Sequence, residues 1–283
     1  MHLPRPAFDE LRRLIHGLCG VMLSEDKAYL IRHRLEPVVR DHGLAGFEEL
    51  ARRLRGPGGT ALHDAVVEAI TTGETSFFRD GHPFDAFRRV LLPRLGALVR
   101  GRRLERPPGQ ARIWCAGVST GQEAYSVAML IDDYLSAEGA PDLRTQDFVV
   151  LATDVSARVL EVARAGRYGD REVARGVSPP WRERYFRRAG KGWVIDEKLR
   201  GMVAFRRANL MENFTGLGRL DLIFCRNVLI YFDESARRRV CERFADMLTP
   251  DGLLVLGTVE NLYGVSTRFV SERLGPTLVY RKA

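Results

Sequence analysis

An α/β protein with a mainly parallel sheet covered by helices on both faces, preceded by a separate helical unit, is predicted by three observations. Residues 7–70 carry apolar positions at helical spacing throughout. From Arg112 onward, short apolar strands alternate with amphipathic helices, the order that builds a parallel sheet. The chain has 283 residues, 45% apolar and 28% charged. At roughly 100–200 residues per domain that is enough for about two cored domains. Such a composition excludes disorder and collagen-like architecture, and no internal repeat or low-complexity tract is present.

The helical unit reads in order. Phe8, Leu11, Leu14, Ile15 and Leu18 recur at three and four residues and share one helical face. Ser24 with Glu25, Asp26 and Lys27 reads as a cap and first turn, leading to Tyr29, Leu30, Ile31, Leu35, Val38 and Val39. Gly43 and Gly46 punctuate before Phe47, Leu50 and Leu54, and Gly56-Pro57-Gly58-Gly59 breaks the chain before a helix over Ala61–Ile70. After a basic, Pro-containing stretch at Gly101–Gln110, strands are predicted over Arg112–Ala116, Phe148–Thr153, Val203–Arg206, Leu220–Cys225, Gly252–Gly257 and Thr277–Arg281. Helices are predicted over Glu123–Leu135, Ala157–Ala165 and Ser235–Met247. Ligand chemistry is expected at the carboxyl ends of those strands.

The net charge is +8 and the isoelectric point about 9.6. Nucleic acid, an anionic surface or an acidic partner all suit that total. Of the 44 basic residues, however, 40 are arginine, an imbalance that codon bias explains as well as anion binding does. The charge is also uneven: 0 over residues 1–70, +4 over 71–110, −5 over 111–157, +8 over 158–207 and +1 beyond. No apolar run reaches the ~18 residues a spanning helix needs, and the amino terminus lacks the pattern of a secretory signal. A cytoplasmic protein without membrane insertion is expected. Cys19, Cys115, Cys225 and Cys241 show no ligand spacing, so neither a disulfide framework nor a metal site is expected.

Four motifs carry candidate chemistry. Ile113–Glu123 runs from a strand through a glycine-bearing turn into a helix, and Gly117 and Gly121 let the backbone approach a small molecule. It has no P-loop lysine and no G-x-G-x-x-G; its Glu123 disfavours a pyrophosphate and suits a cationic amine. A plain glycine turn with a capping Glu is the alternative. Phe148–Asp154 ends in an acid at a strand tip, where ribose hydroxyls are bound, but 33 residues beyond Gly121 rather than the ~20 of a dinucleotide fold. That spacing points to a nucleoside rather than NAD, unless Asp154 only caps the helix starting near Ala157. Asp221–Asp233 delivers Arg226, Asn227 and Tyr231 to a strand end, where Asn227 can also simply terminate the strand and Tyr231 simply pack. Thr71–Asp80 lies between the two units as a lid or a linker.

In this order and spacing, TTGETSFFRD, STGQEAYS, LATDVS, RRANL and FCRNVLIYFD resemble the chemotaxis receptor methyltransferase family, CheR, over nearly the whole chain. The resemblance implies a Rossmann-like class I methyltransferase domain at 111–283 with a small antiparallel β-subdomain inserted at about 168–207. It also implies an all-helical domain at 1–75 and a linker at 76–110. The implied cofactor is S-adenosylmethionine. The implied reaction is methylation of glutamate side-chain carboxylates on methyl-accepting chemotaxis receptors, giving glutamyl methyl esters and S-adenosylhomocysteine in sensory adaptation.

Carried over by position, Thr75 and Arg79 match linker residues that reach the cofactor, Glu123 the acid for its amino-acid portion, and Asp154 the acid for its ribose. Asn209 and Leu210 match the segment beside the adenine, and Arg226 and Asn227 the strand-end contact. Arg79 and Tyr231 are expected nearest the reacting carboxylate, as the catalytic pair. Two departures stand out: Gly73 replaces a cofactor-contacting Asn of some members, and Gln122-Glu123-Ala124 replaces the frequent Glu-Glu-Pro. Gly192–Ile195 and Met202–Arg206 fit strands of the implied subdomain, while Arg182, Arg184, Arg187 and Arg188 either meet the receptor or form a solvated helical face. The resemblance also implies that the helix with Lys27, Arg32, Arg34 and Arg40 meets the receptor's cytoplasmic helices, against which stands the net charge of 0 of that unit.

Two other readings compete. A nucleic-acid methyltransferase suits the isoelectric point, but amino-methylating enzymes of that kind carry an Asp/Asn-Pro-Pro-aromatic strand end, and Asn227-Val228-Leu229-Ile230-Tyr231 has no proline. No nucleic-acid partner is therefore expected. A binding module that kept the fold and lost turnover is disfavoured by the retention of Arg79, Glu123, Asp154, Asn227 and Tyr231.

Overall fold

The computed structural model describes residues 1–56, 59–105, 109–136, 140–213 and 216–283. Pro57 and Gly58 of the expected chain break, and residues 106–108 of the basic stretch, lie outside the described residues. The amino-terminal unit consists of α1 (Arg5–Cys19), α2 (Ala28–Asp41), α3 (Phe47–Arg55) and α4 (Thr60–Ile70). Phe8, Leu11 and Ile15 from α1 close on Ile31 and Leu35 of α2, Leu50 of α3 and Val66 of α4, making one apolar core from four amphipathic stripes. Ser24 precedes a short 3-10 turn at Glu25–Lys27, and its side chain makes no capping bond. Gly20 ends α1 in the left-handed region, φ 75°, where a Cβ is disfavoured. That turn sends the chain against the second unit: Val21 bridges Phe232, and the Met22 N–H donates to the Tyr231 carbonyl at 2.8 Å.

Residues 76–110, expected as a linker, hold α5 (His82–Ala86), a π-turn over Phe87–Leu91 and α6 (Leu92–Glu105). Phe84, Phe87, Leu91, Leu92 and Val99 are buried against the sheet, so this segment is part of the core rather than a tether. The chain continues through β1 (Ala111–Ala116), α7 (Gln122–Ser136), β2 (Phe148–Asp154), α8 (Ala157–Ala165), β3 (Arg167–Gly169), α9 (Asp170–Ala174), α10 (Pro179–Tyr185), β4 (Phe186–Ala189) and β5 (Gly192–Ile195). It ends with α11 (Glu197–Met202), β6 (Val203–Arg207), β7 (Leu220–Cys225), α12 (Glu234–Met247), β8 (Leu248–Leu256), β9 (Phe269–Leu274) and β10 (Thr277–Lys282).

The main sheet has the order β6-β2-β1-β7-β8-β10-β9, with β6 through β8 parallel and β10 antiparallel to both neighbours. Residues alternate between its two faces: Ile113 and Cys115 enter one core, Trp114 and Ala116 the other. Both faces of the sheet are therefore covered. The order reverses between β1 and β7, the switch point at which a ligand crevice forms outside the carboxyl ends of the strands. β9, absent from the strands predicted above, is an edge strand with little burial, which leaves it without an apolar signal.

A small antiparallel sheet, β3-β5-β4, sits between β2 and β6 in the chain. Two expectations about this region are corrected. Val203–Arg207 pairs in parallel with β2, from Val150↔Val203 to Asp154↔Arg207, and so belongs to the main sheet rather than to the subdomain. Arg182 and Arg184 lie on α10 but Arg187 and Arg188 on β4, so the four do not share a helical face. The small sheet is tied down by Asp132 of α7, a buried carboxylate that accepts from Lys198, from Arg184 at 3.2 Å and from the Tyr185 hydroxyl at 3.1 Å.

Candidate active site

Between β1 and α7 the chain turns through Gly117, Ser119 and Gly121, at φ 75°, 52° and 94°. A Cβ on Gly117 would lie 2.5 Å from a Val228 methyl, and one on Gly121 would lie 2.9 Å from the Ala163 Cβ. Conformation and close packing thus require both glycines, in addition to the ligand approach inferred from sequence. The Ser119 N–H donates to Asp154 Oδ2 at 2.8 Å and its hydroxyl to the Gly73 carbonyl at 2.8 Å. Asp154 Oδ1 accepts from the Ser156 N–H at 3.0 Å. Ser156, not Asp154, caps α8, its hydroxyl accepting from Val159 at 3.3 Å. Asp154 instead braces the β1–α7 turn. Burial pushes its carboxyl above the ordinary range, against the N–H groups of Ser156 and Ser119 that favour the anion.

At the end of β7, Arg226 is buried, and both of its terminal guanidinium nitrogens are engaged by acceptors. Its guanidinium donates to Glu123 Oε2 at 3.0 Å, Asp80 Oδ2 at 2.8 Å and the Arg79 carbonyl at 2.7 Å, and it lies 5.2 Å from the Phe84 ring centroid. Burial pushes the Glu123 carboxyl up, and Arg226 draws it back down. Phe78 and Asp80 adopt left-handed φ values of 49° and 68°, which fold this segment back so that Asp80 reaches Arg226. Asn227, at φ 58°, has a buried Oδ1 without a partner among the described residues. Arg79 donates to the Glu74 carbonyl at 2.8 Å.

These groups meet around one cavity that is partly open to solvent. Thr75, Arg79, Glu123, Asp154, Asn209, Leu210, Arg226, Asn227 and Tyr231 all line it, so the structure brings together every site residue named from sequence. Asn209 differs from expectation in one respect. Its amide donates to the Leu18 carbonyl at 2.7 Å and accepts from the Met211 N–H at 3.0 Å, so the side chain holds its own loop against α1.

Sequence reasoning missed five contributors. Cys19, Val21 and Ile70 of the helical unit form part of the cavity wall, a contact that nothing local in the sequence signals. Asp80 completes the partners of Arg226. Glu260 accepts the N–H groups of Asn227, Val228 and Ile230; as an acid just past an apolar strand it repeats the pattern that singled out Asp154.

Glu123, Asn227 and Asp154 all line the cavity; carboxylate and amide oxygens can accept from an ammonium group, and a carboxylate at a strand's carboxyl end can take vicinal hydroxyls. Residues 73–275 match the family model described as "CheR methyltransferase, SAM binding domain", and residues 6–71 match "CheR methyltransferase, all-alpha domain". The chain belongs to the CheR methyltransferase family. This CheR enzyme is 37% identical over 275 residues to a chemotaxis protein methyltransferase of Vibrio parahaemolyticus, covering 97% of this chain and 96% of that protein. It is 36% identical over 276 residues to chemotaxis protein methyltransferase 1 of Pseudomonas aeruginosa, covering 97% of each. It is thus an S-adenosylmethionine-dependent methyltransferase, and all nine predicted site residues fall within the matched cofactor-binding domain.

Among the described residues, no helix of this CheR protein is long and apolar enough to cross a membrane, and no cluster of three or more His, Cys, Asp or Glu is arranged to hold a metal ion. All four cysteines are free and buried, and burial raises their thiol pKa values.

Proposed function

We propose that this enzyme methylates glutamate side-chain carboxylates on the cytoplasmic helices of methyl-accepting chemotaxis receptors, giving glutamyl methyl esters and S-adenosylhomocysteine in sensory adaptation. The supporting observation is the inventory of the cavity: among its described lining residues there is neither histidine nor lysine. Such a site suits a nucleophile that needs no deprotonation. A glutamate with a pKa near 4.3 is already ionised at neutral pH.

Bound S-adenosylmethionine supplies an electrophilic methyl group on a sulfonium. Glu123 and Asn227 hold its amino-acid portion, with Arg226 ordering Glu123. Asp154 takes the ribose hydroxyls, and Leu210 with the Asn209 backbone flanks the adenine. Thr75 and Arg79 reach the cofactor from the segment between the two units. Arg79 and Tyr231 would orient the incoming carboxylate for in-line attack, which requires the reacting atoms about 3–3.5 Å apart. A single arginine already engaged by the Glu74 carbonyl binds that carboxylate without over-stabilising it. This matters because charge is neutralised as the methyl moves, and a tight ion pair would favour the ground state.

Incubation with radiolabelled S-adenosylmethionine and either receptor-containing membranes or nucleic acid, followed by mild alkali, tests the reading. Glutamyl methyl esters release their label as methanol, and N-methyl groups do not. Label confined to nucleic acid, or no transfer despite cofactor binding, would overturn it.

A further inference from the structure

Glu260, in the loop after β8, is buried, and no cation pairs with it among the described residues. Its carboxylate instead accepts four backbone N–H groups: Gly257 and Asn227 on Oε2, both at 2.7 Å, and Val228 at 3.0 Å and Ile230 at 3.1 Å on Oε1. Three of these donors belong to the turn that follows β7. A buried carboxylate is tolerated when its lone pairs are filled by fixed donors, and here the donors are the backbone of the active-site turn itself.

The turn needs such a clamp. Asn227 holds φ 58°, a region that non-glycine residues rarely adopt. A Cβ on Gly257 would lie 2.7 Å from Glu260 Oε2 and 2.8 Å from the Asn227 nitrogen, so the loop after β8 and the turn after β7 meet as closely as only glycine allows. The clamped turn carries Asn227, which lines the cavity and whose Oδ1 has no partner among the described residues, and leads directly into Tyr231.

We propose that Glu260 is a positioning residue for methyl transfer: its carboxylate fixes the turn that presents Asn227 to the cofactor and Tyr231 to the substrate. The roles of those two residues rest on the function proposed above. Glutamine cannot replace it. Each carboxylate oxygen accepts two N–H groups, so an amide in either orientation sets its own NH₂ against two of the four donors.

A double-mutant cycle of Glu260→Gln with Asn227→Ala, read as S-adenosylhomocysteine affinity by calorimetry, tests this. E260Q is expected to weaken binding roughly tenfold or more while retaining the wild-type circular-dichroism spectrum. The double variant is expected to bind no more weakly than the weaker single one, because both changes remove the same contact. With receptor membranes, E260Q should lower kcat more than it raises KM. Wild-type affinity in E260Q, or additive losses in the cycle, would overturn the proposal. If E260Q does not fold, Glu260→Asp, which withdraws the carboxylate by one methylene, carries the same cycle. Coupling in the binding cycle without receptor labelling by the wild-type enzyme would overturn the substrate reading and support the role of Glu260. Receptor labelling with an additive cycle would do the reverse.

Discussion

Replacing Arg226 with methionine removes the charge that holds Glu123 and Asp80 while keeping an apolar chain over Phe84. Breaking a buried ion pair costs about 3–5 kcal/mol, chiefly because a charge is left buried and unpaired. The Asp80 side chain is 33% exposed and keeps water as a partner, whereas that of Glu123 is only 11% exposed. The loss therefore comes mainly through Glu123 and falls near the lower end, about 3 kcal/mol. At roughly 2–4 °C per kcal/mol for a unit of this size, Tm should fall by about 6–12 °C, measured by circular dichroism. The pH dependence has a definite sign. Without Arg226, burial and the nearby Glu260 charge are opposed only by Arg79, so the folded pKa of Glu123 rises further above the unfolded value. The deficit should be small when Glu123 is protonated and grow as pH rises through that raised value, so it is larger at pH 8 than in mild acid. Glu123→Gln in the same chain removes the stranded charge and should recover more than half of the lost Tm. An Arg226→Met variant that melts with the wild type, or a double variant no more stable than the single one, would refute this account of the site.

Three further outcomes follow from the geometry. Tyr231→Phe should lower kcat about tenfold and leave S-adenosylhomocysteine affinity within twofold of wild type, because only substrate orientation is lost, whereas Arg79→Ala should weaken both; initial rates and calorimetry separate the two cases. Gly117→Ala places a Cβ 2.5 Å from Val228 at φ 75° and should lower Tm by several degrees and weaken cofactor binding more than tenfold, measured by thermal melts and calorimetry. The carboxyls of Glu123 and Asp154 are both raised by burial, so cofactor binding should begin to weaken above the ordinary carboxylate range as pH falls, with proton release on binding visible as a buffer-dependent enthalpy.

What the sequence made legible was local. The strand ending in Thr153-Asp154 announced an acid at a carboxyl end, and β2 places Asp154 in the cavity as that pattern requires. Helix α8 runs over the predicted Ala157–Ala165, because its apolar periodicity and its Ser156 cap agree. What stayed hidden depends on long-range pairing. Val203–Arg207 reads as a strand in either sheet, and only its register with β2 decides between them. The helical unit's share of the cavity rests on the Val21–Phe232 bridge, made by residues 211 positions apart and unmarked by any motif. Glu260 was overlooked for a different reason: its partners are backbone N–H groups, which leave no trace in side-chain composition.

Charge gives the last correction. By sum alone, the +8 of residues 158–207 suits an acidic partner, and the −5 of residues 111–157 suits a cationic cofactor. In the folded chain the two segments partly answer each other. Arg184 pairs with Asp132 and Asp133, and Lys198 with Asp132, so the subdomain is held to α7 by the very surplus that suggested an external anion. Others of the basic set are also engaged nearby: Arg187 with Asp196, and Arg188 with Asp170 beside the Trp193 ring. Exposed pairs of this kind add little stability, but each one diminishes the free field that a polyanion would meet. Inside the cavity Arg79 and Arg226 are set against Glu123, Asp154 and Glu74, of which Glu74 also pairs with Arg175 at 2.9 Å. A phosphate backbone would meet those carboxylates, whereas a sulfonium would suit them and, on the proposed function, a single substrate carboxylate would approach Arg79. It is the position of each charge, and not their sum, that favours a protein carboxylate over nucleic acid as the methyl acceptor.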